Sequence, residues 1–185
     1  GITGGGATVG AAYDFGTGLT AAFGAQTTES AVFTDESLDA YALNAAYTAD
    51  SYGVSVTYGV VETSTTNEDT YTAFNAYYLP EGSNLPSLSI GYEIGDIGGA
   101  AATVDEKTSF MVGLSWDEVG PGTAGIALGH SSTVEGSDEE YQYEAYYSYP
   151  INDGMTITPL IYSKDNVTSG ADDTTGVMVK TSFSF

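Results

Sequence analysis

The sequence contains no cysteine and no arginine, and these two absences already exclude several classes of protein. Without cysteine the chain has no disulfide and no thiolate metal site. Only three lysines oppose 25 acidic residues, which gives a formal net charge of -22 at pH 7. Binding to nucleic acid needs a basic surface that displaces counterions from phosphates, so we expect no nucleic-acid partner. The negative field instead gathers cations near the protein.

Long apolar runs are also missing, because no stretch approaches the roughly 18 consecutive apolar residues of a transmembrane helix. Apolar and polar residues alternate instead. The pattern is clearest at the C-terminus, where one face carries Val177, Val179, Thr181, Phe183 and Phe185. Alternation with period two predicts β-strands with one apolar and one polar face. A final strand that ends on an aromatic residue is typical of outer-membrane barrels, whose aromatics form girdles at the membrane interfaces.

The alternation predicts eleven strands of roughly ten residues, the length of a tilted strand that crosses a membrane. Their expected ranges are 7–15, 19–28, 38–48, 52–63, 70–79, 86–96, 107–117, 123–133, 140–149, 155–165 and 174–185. The predicted fold class is all-β, a transmembrane antiparallel up-and-down β-barrel formed by residues 1–185 as one domain. Complete bacterial barrels have an even number of strands. The odd count therefore predicts the C-terminal portion of a larger barrel, with a miscounted strand as the alternative.

The connections between the predicted strands are of two kinds, which alternate. Short ones rich in Gly, Pro, Asn and Asp occupy 16–18, 49–51, 80–85, 118–122 and 150–154, and longer ones occupy 29–37, 64–69, 97–106, 134–139 and 166–173. An up-and-down membrane barrel has short turns on one side and long loops on the other. The Greek-key connections of a soluble sandwich, the alternative fold, do not alternate in this way. Most acidic residues fall in the long loops, so we expect the negative field at one mouth.

With Phe185 taken as lipid-facing, the alternation assigns every strand residue to one of two faces. The outward face receives large apolar residues such as Val9, Tyr13, Phe23, Leu43, Val56, Tyr58, Phe74, Ile90, Val112, Leu128, Tyr143 and Ile161. The inward face receives the candidate pore-lining residues Asp14, Asn44, Asn75, Glu93, Asp117, Gln142, Glu144, Tyr146 and Lys180. Aromatic residues beside strand ends are predicted to form a belt at the membrane interface. They are Phe15, Tyr47, Tyr52, Tyr78, Trp116, Tyr149, Phe183 and Phe185.

Glu144 and Lys180 form the most specific candidate pair for ion selection. Each lies five residues before the end of its predicted strand, and the two strands run in the same direction. Because a single strand separates them, we expect a lateral distance of roughly 10 Å and a similar depth in the lumen. Such a pair would create a transverse field in the channel, and the alternative is that both charges only solvate the wall. Pro159 is expected either to lose a ladder hydrogen bond or to mark a bulge.

The sequence predicts neither a catalytic group nor a metal site. His130 is the only histidine, and the alternation points it outward near the long-loop edge. A polar interface residue is expected there rather than a catalytic base. The acidic clusters at 138–140 and 172–173 lack the spacing of a calcium loop. We expect solvated loops, with loosely bound divalent cations as the alternative, and no cofactor.

One hairpin resembles a known family. The segment Tyr-Ser-Tyr-Pro-Ile-Asn-Asp-Gly-Met-Thr-Ile-Thr-Pro at 147–159, followed by 174–185, resembles the C-terminal hairpin of cyanobacterial outer-membrane porins of the carbohydrate-selective porin family. The resemblance implies a barrel of about sixteen strands, a homotrimer, and contact with the lipid and lipopolysaccharide of a bacterial outer membrane. It also implies transport of carbohydrate or, in the cyanobacterial branch, of small solutes and inorganic ions, including iron.

Together these patterns predict a porin, a water-filled outer-membrane channel for passive diffusion of small hydrophilic solutes and ions. Cations should be favoured, because the acidic residues greatly outnumber the lysines. No enzymatic activity is expected. The alternative function is a non-conducting barrel of the outer-membrane surface, whose acidic extracellular loops serve adhesion.

Overall fold

The computed structural model describes residues 6–27, 37–82, 84–99, 105–168 and 170–184. These residues form eleven strands: β1 (Ala7–Asp14), β2 (Leu19–Thr27), β3 (Asp39–Thr48), β4 (Tyr52–Ser64), β5 (Asn67–Tyr78), β6 (Ser87–Asp96), β7 (Glu106–Val119), β8 (Gly122–Val134), β9 (Tyr141–Asn152), β10 (Met155–Lys164) and β11 (Thr174–Phe183). Every predicted strand is present, and its ends lie within three residues of the prediction. In the part of the chain that the structure describes, no helix is long and apolar enough to cross a membrane.

The strands form one sheet in the order β1 to β11, so each strand pairs with its neighbours in sequence and no crossover occurs. Neighbouring strands pair antiparallel. These findings confirm an all-β, up-and-down antiparallel sheet. The sheet is not closed, because β1 and β11 each have a single hydrogen-bonded neighbour.

The chain divides into two compact units. Unit 1 consists of Gly1–Ala76, Tyr92–Thr108 and Val134–Gly136, and unit 2 of Tyr77–Gly91, Ser109–Thr133 and Ser137–Phe185. Strands β1 to β4 belong to unit 1, strands β9 to β11 belong to unit 2, and β5 to β8 contribute residues to both.

The prediction that short and long connections alternate is wrong. A two-residue turn joins β4 to β5, where the sequence predicts a long loop over 64–69, and eight residues join β5 to β6. Polar groups close the β4–β5 turn, in which the Thr66 N–H donates to Ser64 Oγ at 3.3 Å. Glu68 and Asp69 consequently lie in β5. Acidic residues do not by themselves indicate a loop, because Glu68 is exposed at the end of the strand and the buried Asp69 has hydrogen-bond partners there.

In unit 1 the pairing registers sort the strand residues into two faces. Phe23 of β2 pairs with Ala11 of β1 on one side and with Leu43 of β3 on the other. Leu43 in turn pairs with Tyr58 of β4. Directly paired residues point to the same side of a sheet, so these residues share one face, which we call the apolar face. The intervening positions, such as Asn44, form the polar face, and the face assignments predicted for β1 to β4 agree with these registers.

Unit 2 has the same two faces. Ala145 of β9 pairs with Ile126 of β8 and with Ile161 of β10, and Ile161 pairs with Val177 of β11. These residues belong to the apolar face of unit 2. Glu144, one position before Ala145, belongs to its polar face. A shift of one residue in any of these registers would exchange the two faces.

Pro159 loses a ladder partner rather than forming a bulge. Within the described residues it pairs with Val179 of β11 but has no partner on β9, since a proline offers no N–H to a neighbouring strand. The register of β10 against β9 does not shift at Pro159. It shifts between Met155 and Thr156, beside the turn.

Almost no apolar side chain is buried. Among the described residues Ala25 is the one buried apolar side chain, at 5% exposure, whereas Leu43 is 57% and Ile161 50% exposed. A β-sheet with an apolar face normally buries that face against a second layer of the domain. The described residues supply no such layer, so the apolar face needs a cover from outside the sheet.

A pair of lysine substitutions on β3 should distinguish a lipid cover from water. We expect Leu43→Lys to lower the unfolding free energy in lipid vesicles by about 2–4 kcal/mol, since a lysine near the bilayer midplane costs that much. Ala42→Lys, one residue earlier on the polar face, is the matched control and should cost less than about 0.5 kcal/mol. Urea titrations in vesicles measure both values. Equal costs for the two variants would contradict a lipid-covered apolar face.

Candidate functional site

The polar face of unit 1 carries the predicted pore-lining residues Asp14, Asn44, Asn75 and Glu93. Asn44 is held against β4, because its Nδ2 donates to Thr57 Oγ1 at 2.8 Å and to Val56 O at 3.2 Å. Asp14 takes part in a turn, where its Oδ1 accepts the Gly16 N–H at 2.8 Å. The Asn75 side chain is exposed, and the Glu93 side chain is half-buried.

The polar face of unit 2 carries the predicted pore-lining residues Asp117, Gln142, Glu144, Tyr146 and Lys180. Three of them occupy successive polar-face positions of β9. The Tyr146 ring extends across the neighbouring strand, because it lies where a β-carbon on Gly125 would be. Asp117 Oδ1 accepts a hydrogen bond from Thr123 Oγ1 at 3.4 Å. The side chains of Glu144 and Lys180 are exposed.

The predicted equal depth of Glu144 and Lys180 is wrong. Glu144 pairs with Tyr162 of β10, whereas Lys180 pairs with Thr158. These two β10 residues are four positions apart, which is about 13 Å along a strand. Counting from the strand ends fails because β9 ends at Asn152, three residues beyond its predicted end, and β11 ends at Phe183, two residues before its predicted end. The two charges therefore do not face each other across β10.

The polar face of unit 1 also carries a cluster that the sequence analysis did not identify. Lys107 Nζ of β7 lies 3.3 Å from Asp69 Oδ2 of β5 and donates to Tyr71 OH at 2.7 Å. The Tyr71 O–H donates to Asp69 Oδ2 at 3.1 Å, and the Gly98 N–H donates to Asp69 Oδ1 at 3.0 Å. The ammonium group also lies 4.7 Å from the Tyr71 ring centroid, within the range of a cation–π contact. We call these four residues the Lys107 cluster.

Gly95 of β6 allows the Lys107 cluster to form, since β6 lies between β5 and β7 in the sheet. A β-carbon at Gly95 would lie 3.0 Å from the Tyr71 ring and 3.1 Å from Lys107 Cε. Side chains from two strands roughly 10 Å apart therefore meet above the glycine. A glycine inside a strand often marks such a close approach, and this is the signal that points to the cluster from the sequence.

The Lys107 cluster keeps Asp69 ionised. Asp69 is the third residue of β5 and precedes 70–79, the segment predicted to cross the membrane. Burial by itself raises the pKa of Asp69, whose side chain is 9% exposed. Hydrogen bonds from the Gly98 N–H, the Tyr71 O–H and Lys107, together with the Lys107 charge, outweigh burial and hold the pKa below its ordinary value of 3.8. The positive charge of Lys107 is thus compensated within the polar face.

Hydrogen-bonded acidic residues end the apolar face of unit 1 on the side of β3 that follows the 28–38 connection. Asp39 and Tyr41 continue the apolar-face column of β3 beyond Leu43. The Asp39 N–H donates to Glu62 Oε2 at 3.0 Å, and the Tyr41 O–H donates to Asp39 Oδ2 at 3.0 Å. Asp39 is itself buried, and its carboxylate is held by hydrogen bonds. Polar contacts thus replace apolar residues at this end of the column and mark the limit of the apolar face.

The predicted interface aromatics lie at strand ends beside the connections on the opposite edge. Tyr47 and Tyr52 approach across the β3–β4 turn, with ring centroids 6.0 Å apart, and Tyr13 contacts Phe15 edge-on at 4.8 Å. Trp116 is half-buried, Phe185 lies outside the described residues, and the exposed members are Phe15, Tyr47, Tyr52, Tyr78, Tyr149 and Phe183.

His130 is a packed residue at the end of the apolar face of unit 2, which agrees with its predicted outward position. Its side chain is 8% exposed, and its ring lies edge-on to Phe110 and Tyr141 with centroids 4.9 and 5.8 Å away. Nδ1 lies 2.9 Å from the carbonyl oxygen of Ser131. Because a carbonyl only accepts hydrogen bonds, Nδ1 carries the proton in the neutral ring.

The acidic loops hold solvent-exposed carboxylates. Asp138, Glu139, Asp172 and Asp173 are exposed, and Asp173 Oδ1 accepts the Asn166 N–H at 3.0 Å. In the part of the chain that the structure describes, no group of three His, Asp or Glu side chains is arranged to hold a metal ion. The predicted 29–37 loop, apart from its last residue, lies outside the described residues.

No family model matches the chain, and neither a curated protein nor a solved structure matches it. The resemblance of 147–159 and 174–185 to a porin hairpin stays a prediction.

Asp69→Asn should expose the contribution of the Lys107 cluster to stability. The substitution leaves a largely buried ammonium without its carboxylate, so we expect a loss of about 1–3 kcal/mol in unfolding free energy at pH 7. The pKa of Asp69 is lower in the folded protein than in the unfolded chain. The stabilisation that ionised Asp69 gives the fold is therefore complete above about pH 4 and is lost as the pH falls through the pKa of the folded state. Urea titrations in detergent micelles at several pH values measure the difference.

The control for Asp69→Asn is Glu68→Gln, which removes a neighbouring exposed carboxylate of β5. We expect a change below about 0.5 kcal/mol for the control. A difference between wild type and Asp69→Asn that is the same at pH 7 and at pH 2 would contradict the ion pair.

Gly95→Ala should separate Lys107 from Tyr71. The added β-carbon overpacks the cluster, so we expect a loss of about 1–3 kcal/mol in unfolding free energy. Gly24→Ala is the matched control, because a β-carbon at Gly24 meets nothing within 4 Å. Replacing an unconstrained strand glycine by alanine is expected to be neutral or stabilising. Equal tolerance of both substitutions in urea titrations would show that the Lys107 cluster does not depend on the gap at Gly95.

Proposed function

We propose that this chain forms part of the wall of a bacterial outer-membrane porin, whose polar face lines a water-filled channel and whose apolar face contacts lipid. Small hydrophilic solutes and ions cross by passive diffusion, cations are favoured, and no chemical step is involved. One observation carries the proposal. In both units a single-layer sheet alternates polar residues such as Glu144 with apolar ones such as Ala145, and Ala25 is the one buried apolar side chain among the described residues.

The dimensions of the apolar face support a lipid cover. On β4 its column runs from Tyr52 to Val60, a distance of eight residue steps, or about 27 Å along the strand. A tilt of about 40° reduces that length to a height of about 21 Å, close to the apolar band of about 25 Å on known barrels. An apolar cleft of about 530 Å³ also opens on this face in unit 2, between residues such as Leu114, Ile126 and Ile161.

The charges of the polar face support a preference for cations. Lys107 is compensated by Asp69, and Lys164 Nζ lies 2.8 Å from Glu140 Oε2. Within the described residues Lys180 makes no ion pair, which leaves one free positive charge among many carboxylates. Rings of carboxylates in a pore select for cations, and the net charge of -22 raises the cation concentration near the protein.

The open edges of the sheet are part of the proposal. An unpaired strand edge presents free N–H and C=O groups, which hydrocarbon does not satisfy. We therefore propose that additional strands pair with β1 and β11 and close a barrel of about sixteen strands, assembled as a trimer. The resemblance of the last hairpin to outer-membrane porins supports both the strand number and the trimer.

Planar-bilayer recording in a salt gradient tests the proposal. We expect the purified protein to conduct, with a reversal potential that favours potassium over chloride. Lys180→Glu should raise the cation-to-anion permeability ratio about two- to fivefold, which corresponds to roughly 0.4–1 kcal/mol of charge interaction in water. Lys180→Arg keeps the charge and is the matched control, so its ratio should equal that of wild type.

Two outcomes would contradict the proposal in different ways. A folded, membrane-inserted protein without conductance would indicate the non-conducting surface barrel. Conductance with the same permeability ratio in Lys180→Glu and wild type would show that Lys180 does not line the channel.

A further inference from the structure

A concave region of about 800 Å³ lies on the polar face of unit 2. Glu144 and Gln142 of β9 line it together with their partners on β10, Tyr162 and Lys164. Its volume falls in the range of small-molecule sites, about 300–1,000 Å³. The region therefore has room for a solute larger than a bare inorganic ion.

One side of this concavity is apolar. The Tyr162 ring extends across β11, because it lies where a β-carbon on Gly176 would be. Leu160 and Met178, which pair directly across β10 and β11, also line the region. A ring that lies along the wall beside two aliphatic side chains offers a surface for a hydrocarbon group.

The opposite side of the concavity carries an uncompensated negative charge. Lys164 does not neutralise Glu144, since its ammonium group already contacts Glu140 Oε2 at 2.8 Å. Glu144 is exposed and forms no ion pair within the described residues. The two carboxylates and one ammonium group leave a charge of −1 at this position.

We propose that the concavity binds an organic ammonium ion. Its ammonium group contacts the Glu144 carboxylate, and its alkyl part lies against Tyr162, Leu160 and Met178. A carboxylate and an aromatic ring both attract a cation, whereas the charge of the site repels an anion. A neutral sugar would gain contact with the ring but nothing from the free carboxylate. The inference rests on the proposed channel, in which this site would hold organic cations on their way through.

Calorimetric titration of the detergent-solubilised protein with 1,4-diaminobutane tests the site without requiring conduction. We expect saturable binding to wild type. Glu144→Gln should weaken it about tenfold, the effect of a lost charge-assisted hydrogen bond. Because Glu144 is exposed, this substitution leaves the packing of the sheet unchanged. Glu81→Gln, in the connection between β5 and β6, is the control and should bind as wild type does.

The aromatic contact has its own variants. Tyr162→Leu should weaken binding of the diamine about threefold, whereas Tyr162→Phe, which keeps the ring, should retain it. Equal affinity of wild type and Glu144→Gln, or no saturable binding to wild type, would overturn the inference. Glucose that binds as tightly and displaces the diamine would assign the concavity to sugars and would overturn it too.

The failure of this inference is distinguishable from failure of the proposed function. A protein that binds the diamine in detergent but does not conduct in bilayers would support the site and contradict the channel. A protein that conducts but does not bind the diamine would contradict the site alone.

Discussion

The whole structure depends on one constraint: the apolar face of a single-layer sheet must be covered by something other than the sheet itself. Burial of apolar surface contributes roughly 25 cal/mol per Å², and it has to offset an ordering cost of about 1–2 kcal/mol for each residue. A globular domain meets this cost by packing a second layer on the first. Phe23, Leu43 and Ile161 have no such layer among the described residues and are 43%, 57% and 50% exposed. We propose lipid as the cover, because it agrees with the height of the apolar face and with the aromatics at its edge.

The polar face does not need such a cover, and its side chains differ between the two units. In each unit a strand glycine leaves space that a side chain of a neighbouring strand occupies. At Gly95 the missing side chain lets Tyr71 and Lys107 meet, and the result is a compensated lysine. At Gly176 the missing side chain lets the Tyr162 ring lie along the wall, and the result is a concavity beside a free carboxylate. A glycine in the strand therefore permits the neutralisation of a lysine at one place and forms the proposed binding surface at another.

The sequence predicts the strands because period two is a local property that neighbouring residues report directly. It also predicts which residues share a face, as the pairing of Phe23 with Leu43 illustrates. It does not predict where neighbouring strands end relative to one another, so the separation of Glu144 from Lys180 follows from β9 reaching Asn152 and β11 ending at Phe183, which no local pattern indicates. The Lys107 cluster depends in the same way on how three strands align. The tight β4–β5 turn is not predicted for another reason. Hydrogen bonds between Ser64 and Thr66 close this turn, and it contains neither glycine nor proline, the residues that usually indicate a turn.

The most direct test of a lipid-covered apolar face uses Trp116, the only tryptophan in the chain. Trp116 lies on β7 in the apolar-face column of Val112 and Leu114, close to the end of the strand. Bromine atoms placed at defined depths on lipid acyl chains quench indole fluorescence only when the ring reaches the hydrocarbon. We expect quenching in vesicles, strongest for bromines near the head groups, because a tryptophan at the end of a membrane-spanning strand lies at the membrane interface. Fluorescence that no brominated lipid quenches, from protein that remains dispersed in water without detergent, would contradict a lipid-covered apolar face.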